Sequence, residues 1–517
     1  MNMSPIILGA GFLITFTIVL VVYLWLDEYF SLRQTLGYIT GPKDYPFIGL
    51  SWEISKIPRK DRFEWFNHLC YSYKNGMVVT WFGVEPIVNI RKPRHMEVIL
   101  SSYTYLTKTR VYKVITPWLG SGLLTATGEK WFHRRRLISS AFNKLDDYVP
   151  AMQEKIEILM QTIDKTLSEK PGKPINVYNL ITKYTLDSAC KTALGIDVEI
   201  QQKTDNSSYM ATLHNFCRIS TDRYFKFWMK WNFIFFRTKV GKEFINAVKI
   251  MHRWTEKMIR QKWERRLLLG TIINEEHDNS EMDQKKAFLD HLFDANEKAD
   301  RPLTLQEMRQ ELDTFLFTGY GTTFTAICWA LFTLGNAPKV QAKVQSELNK
   351  IFGSSLKPAT IKQLSYLTYL DLVIKEVLRL YPSIPSIGRC LDCDIVIDNC
   401  FIPKGTIVNI QIYQLHHDPE IWRDPESFNP DRFLPENSNG RHEYAYIPFS
   451  TGPRNCVGQN LALLEMKLVL STILRKWYIT SVVKPNEMKM ISDFILRPFN
   501  DVIDVHFKPL KKTSLEL

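Results

Sequence analysis

The chain has 517 residues, of which 45% are hydrophobic, 13% aromatic and 23% charged. This composition excludes a disordered protein, a collagen and a small disulfide-rich scaffold. Lysine and arginine outnumber aspartate and glutamate by 66 to 54, and the resulting charge of +12 is typical of a protein that meets nucleic acid, an anionic membrane surface or an acidic protein partner.

The first element is an uncharged apolar run from Pro5 to Leu26. As a helix it spans roughly 33 Å, enough to cross the core of a bilayer. No basic residue precedes the run and it ends in aromatic residues, which favours a retained anchor; a cleaved signal peptide is the alternative. Because basic residues such as Arg33 and Lys43 follow the run, the rest of the chain is expected in the cytosol. We therefore expect an anchor at 1–30, a proline-rich hinge at 31–50 and the main domain at 51–517.

The main domain is predicted to be mostly helical. Residues 78–90 alternate in polarity and predict a β-hairpin with turn points at Gly83 and Pro86. Helical patterns occupy 127–269 and the region after Ala287, and the hydrophilic segment 274–286 predicts a surface loop. Short strands are predicted near 387–412 and after Tyr478, with a proline-rich connector at 418–435. The sequence thus predicts one large, mainly α domain with α+β character and without a 20–50-residue repeat.

Two segments of the helical region combine aromatic and basic residues. Residues 128–136 (GEKWFHRRR) predict a basic helix, and residues 215–237 interleave aromatic residues with Arg218, Arg223, Lys226 and Lys230. The second composition suits a bilayer interface, although core aromatics with solvated cations explain it nearly as well. Since no nucleic-acid module accompanies the first segment, we expect no nucleic-acid partner.

A capping box at Thr304 and Glu307 predicts the start of a long helix that continues through residues 315–323 (FLFTGYGTT). Two glycines inside a helix cost about 1 kcal/mol each relative to alanine. Their small size indicates that a ligand or a neighbouring helix approaches the backbone there. Further along, Glu376 and Arg379 lie three residues apart on a predicted helix and are therefore neighbours.

The chain contains eight cysteines, which a cytosolic domain keeps reduced. Cys390 and Cys393 have the spacing of half a zinc site. No second pair with suitable spacing is found. The residues after Cys393 predict a strand hairpin formed by 395–397 and then 406–408, and positions three apart on a strand point to opposite faces. Two packed thiols are therefore the favoured interpretation.

The most specific motif lies at residues 448–460 (PFSTGPRNCVGQN). Gly452 predicts a turn, and Gly458 permits an unusual backbone angle or the close approach of a flat group. An apolar helical run follows, so Cys456 lies at a helix amino terminus, where free N–H groups and the cation of Arg454 favour a thiolate. A single thiolate suits an iron whose other ligands come from a porphyrin; a reactive nucleophile and an inert thiol are the alternatives.

This segment resembles the heme-ligand loop of the cytochrome P450 superfamily, F-x-x-G-x-R-x-C-x-G, at every fixed position. Four other signatures occur in the expected order, so the resemblance covers essentially the whole chain after the anchor. The stretches RLYPSIP and PFSTGPRNC are most similar to the family-four branch, known for ω-oxidation of fatty acids. The resemblance implies one large P450-type helical domain with small β-sheets, heme b with an axial thiolate from Cys456, and NADPH electrons delivered through a reductase.

The resemblance also assigns roles to matching residues. Glu376, Arg379 and Arg432 would form a buried ion-pair network that holds the cysteine loop. The cofactor-binding residues would be Trp131, Arg135, Arg389, Phe449, Gly452, Arg454 and Gly458. Among them, Trp131 and the three arginines would contact the heme propionates, because guanidinium groups suit carboxylates. The remaining basic residues of 128–136 would face an acidic reductase: Lys130, His133, Arg134 and Arg136.

The long helix would supply the catalytic groove, with Gly319, Gly321 and Thr322 beside bound dioxygen. Gly321 stands where the family usually has an acid before this threonine, so half of the usual proton relay is missing. Asp313 lies roughly 12 Å away along the helix axis, too far to substitute.

Two further positions of that helix depart from the family-four pattern. Thr318 stands where that branch commonly has a glutamate that forms an ester link to the heme, so we expect noncovalent heme. Tyr320 stands where that branch usually has histidine, and it could line the pocket or feed a proton chain.

The expected function is monooxygenation of a lipophilic substrate: a fatty acid, steroid, terpenoid or xenobiotic. The expected partners are an NADPH-cytochrome reductase or a cytochrome b-type donor and the lipid bilayer, in the endoplasmic reticulum membrane. The alternative suggested by Gly321 is a heme-thiolate isomerase or dehydratase that acts on a pre-oxygenated lipid without external electrons. A noncatalytic heme or lipid carrier is the third possibility.

Overall fold

The computed structural model describes residues 5–202, 208–226, 229, 231–275 and 286–510. Its helices are α1 (Pro5–Leu36), α2 (Ser51–Lys56), α3 (Arg62–Tyr71), α4 (Pro93–Leu100), α5 (Thr116–Leu119), α6 (Gly128–Ser139), α7 (Leu145–Glu169), α8 (Val177–Leu194), α9 (Ser208–Phe225), α10 (Asn232–Phe235), α11 (Lys239–Glu275), α12 (Phe288–Glu297), α13 (Leu305–Asn336), α14 (Pro338–Phe352), α15 (Ile361–Ser365), α16 (Thr368–Leu380), α17 (Ile412–His416), α18 (Pro435–Ser438) and α19 (Gln459–Lys476). Its strands are β1 (Met77–Phe82), β2 (Glu85–Ile90), β3 (Ile175–Asn176), β4 (Ile387–Cys390), β5 (Ile395–Ile397), β6 (Cys400–Ile402), β7 (Ile407–Ile410), β8 (Trp477–Ser481), β9 (Met490–Asp493), β10 (Ile495–Pro498) and β11 (Asp504–Pro509). Helices dominate and the sheets are small, as predicted.

The core is built around α13. This helix packs against α8, α16, α19 and β8 and is buried along most of its length, which is typical of a helix that is apolar on all sides. The predicted capping box is present: the Glu307 N–H donates to Thr304 Oγ1 at 3.3 Å, and the Thr304 N–H donates to the Glu307 carboxylate at 3.0 Å. The predicted start of the long helix is therefore confirmed.

The largest sheet has the strand order β1-β2-β7-β4, in which only β2 and β7 run parallel. The predicted hairpin is present as β1 and β2, with Gly83 at φ +69° in the turn. The expectation that Pro86 is a turn point is wrong, because Pro86 lies in β2 opposite Trp81. Pairing of β2 with β7 begins one residue later, at Ile87, so the missing N–H of proline removes no bond from that ladder.

The strands that follow the Cys390–Cys393 pair divide between two sheets. β5 pairs with β6, whereas β7 returns to the four-stranded sheet, so the expected hairpin between residues 395–397 and 406–408 is not formed. All eight cysteines are free, and Cys393 is exposed, which corrects the interpretation of two packed thiols. Among the described residues, no group of His, Cys, Asp and Glu has the arrangement of a metal site.

Helix α1 is long and apolar enough over Leu13–Leu36 to cross a membrane, with a mean hydropathy of 1.7. Helix α13 passes the same test but is 78% buried, as expected for a core helix. The end of α1 is fixed to the following segment, because Arg33 donates to both carboxylate oxygens of Asp44 at 3.1 and 2.7 Å. The predicted divisions at residues 30 and 50 stay predictions.

The aromatic-basic segment 215–237 contains the end of α9 and the whole of α10. Trp231 and Phe233 are 56% and 70% exposed, whereas Phe216 and Phe235 are buried. Arg223 is also buried, with its guanidinium 4.1 Å from the ring centre of Phe235, so its expected place on the basic surface is wrong. Phe227, Trp228 and Lys230 lie outside the described residues, as does most of the loop predicted at 274–286.

Candidate active site

A cavity of about 970 Å³ lies between α13, α19 and the four-stranded sheet, at the upper end of the range for small-molecule sites. Most of the residues singled out by the sequence line it together. From the cysteine loop come Phe449, Arg454, Cys456 and Gly458; from α13 come Thr318, Gly319, Tyr320, Gly321 and Thr322; and from α6 come Trp131 and Arg135. Gly452 and Arg389 are not part of this wall, although Gly388 is.

The cysteine loop, residues 447–458, is a tight turn before α19. The Cys456 N–H donates to the Phe449 carbonyl at 3.0 Å. Gly452 has φ +74°, and a Cβ there would overlap the Leu100 carbonyl oxygen, so the predicted turn requires glycine. Gly458 has an ordinary φ of −91°, so the unusual backbone angle allowed for it is wrong. A Cβ at Gly458 would lie 3.3 Å from the Phe142 ring, which supports a close approach instead.

The Cys456 side chain is accessible because it opens into the cavity. Burial within the fold raises the pKa of the Cys456 thiol, while the Gly458 N–H and the charge of Arg135 act to lower it. The expected stabilising cation was Arg454, two residues away. The Arg454 guanidinium donates instead to backbone carbonyls, and among the described residues it is Arg135 whose charge favours the thiolate.

Two arginines hold the cysteine loop in place. Arg454 donates to the carbonyls of Leu106 at 2.7 Å and Ala126 at 2.6 Å, with longer bonds to the carbonyls of residues 123 and 124. Its guanidinium also lies 5.1 Å from the ring centre of Trp131. Arg135 donates to the Asn455 carbonyl at 2.9 Å and to its side-chain oxygen at 2.6 Å. The loop is thus fixed directly before Cys456.

Three cations are enclosed near this loop: Lys108, Arg389 and Arg454. Arg389 is 1% exposed and its side chain donates to the Gly388 carbonyl. No carboxylate among the described residues forms an ion pair with any of the three. Burial and their mutual repulsion lower the pKa of Lys108 well below its usual range and that of Arg454 to about 9. Such a cluster fits an anionic ligand, since buried cations without counter-charges are costly.

The groove on α13 is formed by Gly319 and Gly321. Gly319 and Gly321 line the cavity, and a Cβ at Gly321 would meet nothing within 4 Å. The Thr322 hydroxyl donates to the Thr318 carbonyl at 2.8 Å, and the Thr322 carbonyl accepts from the Ser383 hydroxyl at 2.8 Å. The backbone of α13 at Gly319 and Gly321 is therefore accessible to a ligand in the cavity.

Glu376, Arg379 and Arg432 meet as the motifs implied. Arg379 donates to both oxygens of Glu376 at 2.7 and 2.9 Å, and Arg432 Nε donates to Glu376 Oε1 at 2.9 Å. Glu376 and Arg379 have no exposed surface. The network lies apart from the cavity and joins α16 to the connector.

Comparison with known proteins identifies the family. The sequence profile described as Cytochrome P450 matches residues 39–503. The chain belongs to the cytochrome P450 family. It is 35% identical to cytochrome P450 4V2 of Mus musculus, covering 94% of this chain and 93% of that protein, and 37% identical to cytochrome P450 4c3 of Drosophila melanogaster, covering 89% and 87%. The fold matches the crystal structure of the cytochrome P450DA heme domain with a TM-score of 0.77 at 21% identity, over 92% of this chain and 98% of that one.

As a P450 with relatives in family four, the protein is a monooxygenase-type oxidoreductase, and the family implies a heme iron held by a thiolate. The residues present fit this group. Cys456 and the glycine backbone of α13 line the cavity. Lys108 and Arg454 also line it, Arg389 is buried next to Gly388 of the wall, and none of the three pairs with a carboxylate of the described residues. These cations could therefore bind the two carboxylates of a porphyrin.

The positions at which this P450 departs from its family, Thr318, Tyr320 and Gly321, line the same cavity. Gly321 places no acid beside Thr322. Asp313 is fully buried and accepts from the Thr255 hydroxyl at 2.6 Å, so it serves α11 and not the groove. Tyr320 lines the cavity, as one of its two expected roles required, and its buried ring stacks on Phe324 with ring centres 5.9 Å apart.

The basic helix α6 presents fewer cations to solvent than expected. Arg134 is 1% exposed and pairs with Glu311 at 2.6 Å and Glu307 at 2.8 Å, so its assignment to the surface that meets a reductase is wrong. Lys130 and Arg136 remain on the outside of the helix.

Sequence reasoning did not find Lys108, His416 or Glu465. Lys108 becomes significant only because its backbone forms a bridge to Arg389, far along the chain. Glu465 lines the cavity and accepts from the Ser188 hydroxyl at 2.7 Å; its only sequence signal is an acid in an apolar stretch of α19.

Proposed function

We propose that this P450 is a heme-thiolate monooxygenase that inserts one oxygen atom of dioxygen into a lipophilic substrate at the endoplasmic reticulum membrane. NADPH provides the electrons through a flavoprotein reductase. The observation that carries this proposal is the sharing of one cavity by Cys456 and the glycine groove of α13.

Cys456 would hold the iron of heme b, and Lys108, Arg389 and Arg454 would neutralise its propionates. Trp131 would pack beside them, since it is buried under the Arg454 guanidinium. Phe449 and Gly458 would flank the macrocycle, and Gly452 would shape the turn. When bound, heme supplies dioxygen activation and electron transfer. The attachment would be noncovalent, because Thr318 offers a hydroxyl that already donates to the Thr314 carbonyl at 2.7 Å.

Thr322 would organise the protons for this chemistry. Its hydroxyl hydrogen is directed to the Thr318 carbonyl, which leaves its oxygen lone pairs free to accept a hydrogen bond from water. Gly321 leaves space beside it for water but supplies no acid. We therefore propose slow proton delivery, with part of the consumed oxygen released as hydrogen peroxide.

The substrate would be apolar over most of its length. The cavity wall beyond the cysteine loop carries the large apolar side chains of Phe63, Phe66, Phe317, Ile384 and Phe494. Helix α1 and the exposed Trp231 and Phe233 would place the enzyme at a bilayer, from which such a substrate could enter. The resemblance to the family-four branch favours a fatty acid as the substrate of this protein. Steroids, terpenoids and xenobiotics are the other candidate classes.

The electron donor would bind at α6. Lys130, His133 and Arg136 form its remaining accessible basic set, on the same helix as Arg135, which donates to Asn455 of the cysteine loop. A flavoprotein with an acidic surface, or a cytochrome b-type donor, would be attracted to this face.

The decisive experiment measures absorption and turnover of the purified full-length protein. The reduced protein under carbon monoxide should show the red-shifted Soret band of thiolate ligation, and Cys456→His should abolish it. NADPH, reductase and oxygen should then support product formation from a lipophilic substrate. Turnover of a lipid hydroperoxide without NADPH would instead support an isomerase or dehydratase, and a red-shifted band without either turnover would support a carrier.

A further inference from the structure

His416 lies between the Glu376–Arg379–Arg432 network and the cysteine loop. It is the last residue of α17 and has no exposed surface. Neither Glu376 nor either arginine donates to or accepts from the cysteine loop within the part of the chain that the structure describes. The effect of the network on Cys456 must therefore pass through intermediate residues.

On one side, the backbone of His416 is fixed by the network. Arg379 Nη1 donates to the His416 carbonyl at 2.7 Å, while the rest of that guanidinium is occupied by Glu376 and the Ser427 carbonyl. A charge-assisted bond to a fully buried carbonyl is among the stronger hydrogen bonds in proteins.

On the other side, the His416 ring accepts from the loop. The Ile447 N–H donates to His416 Nε2 at 3.0 Å. Ile447 is 2% exposed and begins the turn, because its carbonyl accepts from the Ser450 N–H at 2.9 Å. The nearby Phe449 carbonyl accepts from the Cys456 N–H. Arg454 and Arg135 hold the later part of this loop, so His416 holds its entrance.

This contact requires an uncharged ring. A protonated imidazole carries hydrogen on both nitrogens and could not accept from the Ile447 N–H. The ring stacks on Tyr446 with centres 5.3 Å apart, and its other nitrogen, Nδ1, is buried without a hydrogen-bond partner in the part of the chain that the structure describes. Burial and the charge of Arg379 lower the pKa of His416 well below its usual range, in agreement with a neutral acceptor.

We propose that His416 is a positioning residue of this enzyme, whose neutral imidazole couples the buried ion-pair network to the cysteine loop by accepting the Ile447 N–H. Loss of this acceptor would leave a buried N–H without a partner and loosen the loop entrance. The thiolate of Cys456 would then be presented to the iron in more than one geometry. This inference rests on the proposed heme-thiolate function.

The adjacent His417 provides a matched control. It is also buried, but its ring pairs with the carbonyl of Tyr413, in α17, at 2.8 Å and lies 3.9 Å from Glu426. His416→Phe and His417→Phe therefore remove similar groups from similar surroundings, and only the first removes the acceptor for the loop. His416→Gln restores an oxygen acceptor near the position of Nε2.

The test measures the purified full-length holoenzyme in two ways. Hydrogen–deuterium exchange reads the amides of residues 447–456, and the reduced carbon monoxide spectrum reads the fraction of heme with the red-shifted band. His416→Phe should raise exchange at Ile447 at least tenfold and lower that fraction, and His416→Gln should reverse most of both changes. His417→Phe should leave both at the native values even if the melting temperature falls.

Native exchange in His416→Phe, or an equal increase in His417→Phe, would overturn the proposal. If His416→Phe does not fold, the comparison of His416→Gln with His416→Asn tests the proposal. Because asparagine is too short to reach the Ile447 N–H, the Ile447 amide should exchange faster in His416→Asn than in His416→Gln. Equal exchange rates in the two variants would overturn the proposal. Failure of the proposed function is distinguishable, because the native protein would then lack the red-shifted band while the exchange comparison still reads the role of His416.

Discussion

The Arg379 guanidinium and the Glu376 carboxylate form two hydrogen bonds, 2.7 and 2.9 Å long, within one turn of α16 and without any exposed surface. A second guanidinium, that of Arg432, shares the same carboxylate and also donates to the carbonyls of residues 423, 424 and 427. One buried carboxylate thus organises two cations, and these in turn fix the backbone of the connector. Through the proposed contact of His416 with Ile447, this network would support the cysteine loop.

Arg379→Leu should destabilise the protein by about 3–5 kcal/mol, because the variant removes one partner from a buried charge network. Urea unfolding followed by circular dichroism would measure the loss. Lys489→Leu is a suitable control, since the pair of Lys489 with Glu64 lies on the surface; it should leave the unfolding midpoint unchanged. Equal midpoints for Arg379→Leu and the native protein would contradict the structural role.

Local patterns in the sequence were sufficient for several features of this fold. The cysteine motif, the Thr304 capping box and the pairing of Glu376 with Arg379 all involve residues close together in the chain, whose spacing alone defines their geometry. The apolar helix α1 was likewise readable from its uninterrupted apolar length.

Long-range partners could not be read in the same way. Arg134 was expected on the surface because its neighbours are basic, yet its partner Glu311 lies 177 residues away. Lys108 and Arg389 likewise meet only because a backbone bridge joins residues far apart in the chain. A single sequence shows which residues carry charge but not which distant charge or cavity they face.

Gly321→Asp should improve the coupling of NADPH consumption to product formation. A Cβ at this position meets nothing within 4 Å, so the side chain can enter the cavity beside Thr322 and supply the missing acid. Product and hydrogen peroxide per NADPH would be measured with the reductase present. Gly321→Ala controls for side-chain bulk and for the gain of about 1 kcal/mol in helix propensity. Unchanged coupling in Gly321→Asp would show that the missing acid does not limit proton delivery.

Lys108→Met should accelerate heme loss roughly tenfold or more, because a charge-assisted hydrogen bond contributes about 1.5–3 kcal/mol. Met keeps most of the length of the side chain and removes its ammonium group. Transfer of heme to excess apomyoglobin gives the rate. Lys113→Met is the matched control, since Lys113 is exposed and does not line the cavity. The same rate of heme loss in both variants would contradict a role of Lys108 in holding a propionate.

Glu465 should make the protein less stable as pH rises. Burial raises the pKa of its carboxyl from 4.5 to about 7 in the folded protein, although the hydroxyls of Ser188 and Tyr184 donate to it. Between about pH 4.5 and pH 7 the folded state therefore binds more protons than the unfolded state, so the free energy of unfolding decreases with pH.

The variant Glu465→Gln cannot ionise and should lack this decrease. Relative to the variant, the native protein should lose up to about 3 kcal/mol of unfolding free energy across this interval, at 1.36 kcal/mol per pH unit. Urea unfolding at pH 4.5, 6 and 7.5 would measure the difference between the two proteins. Because every other titrating group is common to both, their effects cancel, and a difference that stays constant with pH would show that Glu465 is already ionised in the folded protein.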